Sequence, residues 1–173
     1  MIKQTRVLLL LIASMNAKAT DRFTIFTKQE FNCTDNISSV GVSSIISTHQ
    51  SNLKSEVITS INSVTVIDQF GYEQAYYGVD LGLRFGYFSK LFVYFEGGFD
   101  VFEATFHHDD DAPYFDYDDR YNSNNVDGYA ALGAGVQAGN LRIEGFVKAR
   151  QIDSDYWEAN RSLFSGLQIS LTF

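Results

Sequence analysis

The side chains best suited to binding or catalysis are concentrated in one polar stretch, at about 107–125. It contains His107, His108, Asp109, Asp110, Asp111, Asp116, Asp118 and Asp119. Carboxylate oxygens bind Ca²⁺ or Mg²⁺, and histidine with aspartate can bind a transition metal. The spacing matches neither an EF-hand nor an H-E-x-x-H zinc motif, and adjacent histidines on an extended chain point to opposite faces. We therefore expect a solvated acidic loop without a metal, although a cation or a protein partner remains open as its ligand.

A second set of charges lies on one face of the alternating segments, at positions an even number of residues apart within each segment. These residues are Asp80, Arg84, Glu96, Asp100, Asp127, Arg142, Glu144, Lys148 and Arg150. Alternate residues of a strand point to opposite faces, so these charges share one face, and the other face is apolar. Inside a closed sheet they would have to pair, because an unpaired buried charge costs several kcal/mol. We predict a salt-bridge network, with a polar path for a small solute or a catalytic pair as the functional alternatives.

The segments that carry these charges alternate with a period of two residues, which is typical of half-buried strands. In the C-terminal half they predict strands at 75–88, 91–106, 126–139, 141–153 and in the last twelve residues, ending at Phe173. In the N-terminal half the pattern is weaker and predicts strands at 22–29, 38–49 and 53–67. A helix at 53–67 is the alternative, but β-branched residues there favour a strand. Together they predict an all-β, antiparallel up-and-down barrel of about eight strands. Four glycines on the charged parity, at positions 78, 82, 86 and 98, would make room for the Arg and Lys side chains.

The connections between these strands alternate in length. Ser89-Lys90 and Gly139-Asn140 are tight turns, whereas 107–125 and 154–161 are long loops. Short turns on one side and long loops on the other are typical of bacterial outer-membrane barrels, in which the turns are periplasmic. Aromatic residues near the predicted strand ends fit interfacial belts: Tyr76, Tyr77, Tyr156 and Trp157 at the outer rim, and Tyr87 and Phe173 at the inner rim.

The N-terminus has the pattern of a secretory signal. Lys3 and Arg6 precede the apolar run 7–13, and Ala17-Lys18-Ala19 fits a signal-peptidase site. We expect residues 1–19 to be a cleaved signal peptide and residues 20–173 to form one barrel domain. A membrane anchor is the alternative, but the apolar run is far shorter than the ~20 residues that a spanning helix needs.

Composition excludes some classes of function. The net charge of −8 argues against binding nucleic acid, whose phosphates require a basic partner. The signal segment contains three basic residues and no acidic ones, so its removal makes the chain still more acidic. The single cysteine, Cys33, excludes an intramolecular disulfide. We interpret it as a loop thiol without a function, with a functional or intermolecular role as the alternative.

The C-terminal strand carries a family resemblance. Leu167, Ile169, Leu171 and Phe173 alternate with polar residues up to the last position. With the signal pattern and the amphipathic strands, this resembles the small Gram-negative outer-membrane β-barrels of the OmpA transmembrane-domain, OmpX and NspA type. The alternating apolar row is similar to the signal that the barrel-assembly machinery recognises. The resemblance implies an outer-membrane location, contact with membrane lipid and lipopolysaccharide, no cofactor, and a role in envelope integrity, adhesion or another surface interaction.

Two other functions remain as alternatives. Lipid-modifying enzymes of similar size occur in the outer membrane, and the deacylase type has an H-x-S arrangement. Of His49, His107 and His108, His49 alone has this spacing, as His49-Gln50-Ser51 at the polar turn between the predicted strands 38–49 and 53–67. A periplasmic, lipocalin-like barrel would bind an apolar ligand, with its apolar face inside and its charged face outside. We expect an outer-membrane barrel without catalytic activity. The alternation of short turns and long loops and the apolar row of the final strand favour this location over a periplasmic one.

Overall fold

β-Strands make up the regular structure and close into a single barrel. The computed structural model describes residues 23–48, 52–67, 70–101, 127–152 and 162–173. The strands are β1 (Phe23–Asn32), β2 (Asp35–Thr48), β3 (Leu53–Ile67), β4 (Glu73–Phe88), β5 (Leu91–Asp100), β6 (Gly128–Ala138), β7 (Leu141–Arg150) and β8 (Leu163–Thr172). Each strand pairs antiparallel with its neighbours in sequence, and β8 pairs with β1. The predicted eight-stranded antiparallel barrel is confirmed. No helix in the described part of the chain is long and apolar enough to cross a membrane.

The first two strands are longer than the sequence pattern predicted. Residues 30–37, expected to be a connection, complete β1 and begin β2, and only Cys33-Thr34 forms the turn between them. Cys33 has a φ of 43°, in the left-handed region that tight turns use. The prediction failed because Glu30 and Asp35 are buried inside the barrel, so their polarity does not mark a loop. In the predicted strand 91–106, residues 102–106 lie outside the described chain.

The connections define two different ends of the barrel. One end, called the turn end, has Phe23, Phe173 and three connections at 49–52, 89–90 and 139–140. The opposite end, called the loop end, has the connections 68–72, 101–127 and 151–162 together with the Cys33-Thr34 turn. The predicted alternation of short turns and long loops therefore holds except at this two-residue turn. The expected acidic loop and the loop 154–161 lie outside the described residues.

The two faces of the barrel wall have opposite polarity. Leu83 and Phe85 point outward and are 60% and 52% exposed, whereas Arg84 between them is 3% exposed. The same alternation runs along every strand from β4 to β8. The outer wall is therefore a broad apolar surface, far larger than the scattered apolar residues of a typical soluble protein.

The predicted aromatic belts are found only in part. Tyr77, Tyr87 and Phe173 are exposed on the outside. Tyr76 was expected at the outer rim, but its place in β4 turns it inward, where it packs against an apolar cluster at the loop end. That cluster consists of Ile37, Val64, Val66, Ile152 and Phe164. Tyr156 and Trp157 lie outside the described residues.

The inward glycines make room for side chains other than those expected. A Cβ atom at Gly82 or Gly98 would collide with the Tyr129 ring or hydroxyl, and one at Gly78 would collide with the Asp100 carboxylate. A Cβ atom at Gly86 would strike the neighbouring strand next to Tyr94. The expectation that these glycines accommodate Arg and Lys is therefore wrong: the nearest groups are Tyr129 at Gly82 and Gly98, the Asp100 carboxylate at Gly78, and the neighbouring strand at Gly86.

Candidate functional site: the charged interior

The described residues form three groups of ion pairs in the interior of the barrel. The first, the Glu30 cluster, lies towards the loop end. Glu30 Oε1 is 3.0 Å from Lys28 Nζ and 2.5 Å from Lys148 Nζ, and Glu30 Oε2 is 4.0 Å from Arg150 Nε. Arg150 also pairs with Asp80. One carboxylate thus holds three basic side chains from two strands, and all five residues are buried.

The second group, the Arg84 cluster, lies at the middle of the barrel. Arg84 Nη2 is 2.8 Å from Glu96 Oε2 and 2.9 Å from Glu144 Oε1. The Tyr94 hydroxyl donates a hydrogen bond of 3.1 Å to Glu144 Oε1, and the Tyr94 ring centroid lies 3.8 Å from the Arg84 guanidinium carbon. A guanidinium with five donors can hold two carboxylates at once, so Arg84 joins β5 and β7 across the interior.

The third group lies towards the turn end. Arg142 Nη1 donates a hydrogen bond of 3.1 Å to Glu56 Oε1, and Arg142 Nε donates one of 3.2 Å to Gln137. The guanidinium carbon of Arg142 is 5.2 Å from the Phe88 ring centroid and 5.9 Å from that of Phe92. Aromatic rings therefore surround the basic group at this level as well, and they exclude water from the ion pair.

All nine residues proposed from the sequence for this network are buried in the interior. Seven of them belong to the three ion-paired groups, which contain five bases and five acids in all. The other two, Asp100 and Asp127, lie at the loop end, where Asp100 Oδ1 accepts a hydrogen bond of 3.2 Å from the Val79 amide. The Asp127 carbonyl accepts one of 2.8 Å from the Asp100 amide.

Sequence reasoning missed four charged residues of the interior. These are Lys28, Glu30, Asp35 and Glu56. A period of two was present in 23–32, where Thr24, Lys28 and Glu30 alternate with more apolar residues. The signal was obscured because Phe26 points inward, where Gly41 leaves space for its ring, and because Gln29 points outward.

The ion-paired groups leave little free space. The gap bordered by Lys28, Arg84, Glu96 and Lys148 is too narrow to admit a water molecule. The bases of all three groups already bind carboxylates, so their charges are neutralised within the protein. The arrangement crosslinks strands from opposite sides of the barrel.

The other residues singled out from the sequence lie elsewhere. Leu167, Ile169, Leu171 and Phe173 are exposed on the outer wall, and the Phe173 amide donates a hydrogen bond of 2.7 Å to the Phe23 carbonyl. The acidic stretch from His107 to Asp119 lies outside the described chain. Within the described ranges, no group of three or more His, Cys, Asp or Glu residues is placed to bind a metal ion.

Comparison with known proteins identifies no family. A scan against protein-family models gives no match to this chain, and a search of curated proteins gives no significant relative. The support for a function comes from the polarity of the barrel wall and from the residues of its interior.

Proposed function

We propose that this chain is a small outer-membrane β-barrel without catalytic activity, which acts as a structural or surface-interaction protein of a Gram-negative envelope. It would reach that membrane through a cleaved signal at residues 1–19 and would be inserted by the barrel-assembly machinery, which would read the apolar row of β8. Its partners would be outer-membrane lipid and lipopolysaccharide, and its loops would face outward to extracellular partners. No cofactor is part of this proposal.

The observation that carries the proposal is the inverted polarity of the wall. The outer faces of β4 to β8 are apolar, while charged side chains fill the interior. In water this arrangement would leave a large apolar surface hydrated, at about 25 cal/mol for each Å². In lipid it is favourable, because closed strands satisfy every backbone hydrogen bond between neighbours. The alternative of a lipocalin-like protein requires the opposite arrangement, with an apolar interior.

A structural role fits the interior better than a catalytic one does. A buried network in which each basic side chain binds a carboxylate resists the entry of a substrate, and removal of one partner would leave a costly unpaired charge. The three groups span the barrel from the loop half to the turn end. We infer that they hold the wall closed while the loops carry whatever recognition the protein performs.

The proposal is tested by fractionating cells that express the full chain and comparing electrophoretic mobility in SDS with and without boiling. A barrel folded in the membrane resists SDS, so we expect the protein in the outer-membrane fraction with a heat-dependent shift. Leu83→Arg places a charge on the apolar wall, and it should strongly reduce the band of folded protein seen in the unboiled sample. Recovery of the wild-type protein in the soluble periplasmic fraction without a shift would overturn the proposal.

The orientation of the barrel can be tested with its native thiol. Cys33 is exposed on the turn at the loop end and is the only cysteine of the chain. We expect a membrane-impermeant maleimide to label Cys33 in intact cells. In the control variant, Cys33→Ser combined with Asn140→Cys at the turn end, labelling should require disruption of the outer membrane. Labelling of Asn140→Cys in intact cells, with Cys33 protected, would reverse the assigned orientation.

A further inference from the structure

A patch of neutral polar side chains interrupts the apolar outer wall on β1, β2 and β3, towards the loop end. We call it the polar patch. Its members all point outward and are exposed or half-buried: Gln29, Asn36, Ser38, Ser63 and Thr65. In hydrocarbon such groups would be costly, because lipid offers them no hydrogen bonds. Their concentration in one place therefore needs an explanation that a simple lipid-facing wall does not give.

The polar patch forms two adjoining rows across three strands. Ser38 lies opposite Gln29 on β1 and opposite Ser63 on β3, and Asn36 lies opposite Thr65. Ser38 Oγ donates a hydrogen bond of 2.9 Å to Gln29 Oε1, and Gln29 Nε2 donates one to Asn36 Oδ1. The amide and hydroxyl groups are thus adjacent, with donors and acceptors held on a flat sheet surface.

Towards the turn end the outer wall of β1 to β3 becomes more apolar, although Thr27 on β1 lies opposite Val40. Next to the polar patch, towards the turn end, Val40 lies opposite Ile61, and both side chains are more than 60% exposed. On the other side of the barrel the outer wall stays apolar up to the loop end, where Phe99 and Leu163 are exposed. The polar patch is therefore centred on β1 to β3, with Ser165 of β8 opposite Phe31 at its edge, and it is not a ring around the barrel.

Two exposed aromatic rings border the polar patch. Phe31 lies opposite Asn36, and Tyr77 lies opposite Ser63. The exposed fractions of Phe31 and Tyr77 are 47% and 75%. Amides and hydroxyls pair with sugar hydroxyls, since both supply donors and acceptors, and the apolar faces of sugar rings pack on aromatic rings. Neither the polar patch nor its aromatic neighbours carry a charge, so the surface fits a neutral sugar better than a phosphate.

We propose that the polar patch binds neutral sugar residues in the headgroups of glycolipid in the surrounding outer leaflet. Along the strands, apolar side chains are followed by polar ones towards the loop end, which is the order in which a glycolipid presents its acyl chains and its sugars. Its acyl chains would lie on the apolar surface around Val40 and Ile61, and its sugars would continue directly onto Ser38, Ser63 and Asn36. This inference rests on the proposed membrane location, and it adds the ligand class and the part of the wall that binds it.

The test measures glycolipid binding to the purified, refolded full-length barrel in detergent micelles by native mass spectrometry. The probes are lipopolysaccharide with its core sugars and lipid A without them. The wild-type protein should bind lipopolysaccharide about tenfold more tightly than lipid A, as one or two net hydrogen bonds to the core sugars would give. The triple variant Asn36→Val, Ser38→Val, Ser63→Val should bind both lipids equally. Ala134→Val, an outward change on the opposite wall, should behave like the wild type.

Each other result has a defined meaning. Equal binding of both lipids by the wild-type barrel would overturn the proposed sugar site. A dimer mass that the triple variant loses would assign the polar patch to a second copy of the chain and also overturn it. Competition by free core oligosaccharide at equal molar concentration would assign it to soluble glycan instead. A protein that binds neither lipid and shows no heat-dependent shift would instead contradict the membrane location itself.

Discussion

At the scale of single residues, Glu30 is the most connected charge of the interior. Its carboxylate lies within 4.0 Å of basic groups of Lys28, Lys148 and Arg150. Replacing it by Gln would leave three buried bases with the Asp80 carboxylate as the one acidic partner in their cluster. Because breaking a buried ion pair costs about 3–5 kcal/mol, we expect Glu30→Gln to lower the free energy of unfolding by about that amount. Urea titration of the protein in micelles measures it.

The matched control for this prediction is Glu73→Gln, because Glu73 is an exposed carboxylate at the loop end of β4. Surface substitutions of this kind usually change stability by less than about 0.5 kcal/mol. If Glu30→Gln and Glu73→Gln unfold at the same urea concentration, the Glu30 cluster does not contribute to stability as argued. If Glu30→Gln and Lys148→Met each lower the free energy of unfolding by a similar, smaller amount, the loss of stability comes from the Glu30–Lys148 ion pair.

Residue size on the inner face is as important as charge. A Cβ atom at Gly133 would overlap the Tyr94 ring, which covers Arg84. We expect Gly133→Ala to destabilise the barrel by about 1–3 kcal/mol, the usual cost of overpacking. Gly97→Ala, on the outer face of β5, is the control, since the nearest atom to a Cβ there is 3.8 Å away. Equal urea midpoints for the two variants would mean that Tyr94 can move aside without lowering the stability of the barrel.

At the scale of the strands, the clarity of the sequence pattern depended on how uniform each face is. β4 to β8 were recognisable because their outward residues are almost all apolar, while most of their inward residues are charged, polar or glycine, with Phe88, Phe92, Phe146 and Phe164 as apolar exceptions. β1 to β3 were obscured because both faces are mixed. Ile58, Val64 and Val66 are buried inside, while Ser38 and Ser63 are exposed outside. Neither the inner apolar cluster nor the polar patch can be deduced from a period of two alone.

The partners of each charge were also beyond sequence reasoning. The pairing of Arg142 with Glu56 joins residues from β7 and β3, which are not neighbours in the sheet. Such a contact depends on the curvature of the barrel and on its register, whereas alternation fixes only the face on which each residue lies. The sequence therefore predicted which charges are buried in the C-terminal half, but not which of them meet.

At the scale of the whole molecule, the barrel has an apolar outside, a neutralised interior and an acidic loop end. Among the described residues, the three ion-paired groups contain five bases and five acids, and three further buried acids, Asp35, Asp100 and Asp127, lie at the loop end. The sequence adds six aspartates in the connection between β5 and β6. Acidic residues are thus concentrated at the loop end, which we propose faces the outside.

The apolar wall leads to the last prediction, which compares two positions on the outer face of β4. Leu83 lies near the middle of the wall, and Tyr77 lies at the loop end of the same strand and the same face. An arginine at the bilayer midplane costs about 2–4 kcal/mol in a barrel, and about 0–1 kcal/mol near the interface. We therefore expect Leu83→Arg to reduce the folded fraction in lipid vesicles strongly and Tyr77→Arg to leave it nearly unchanged. The heat-dependent shift after refolding into vesicles measures both. Because the two variants carry the same new charge on the same face, a larger loss of folding for Leu83→Arg is the result expected of a wall that faces lipid, and equal folding of both would mean that this wall does not face lipid.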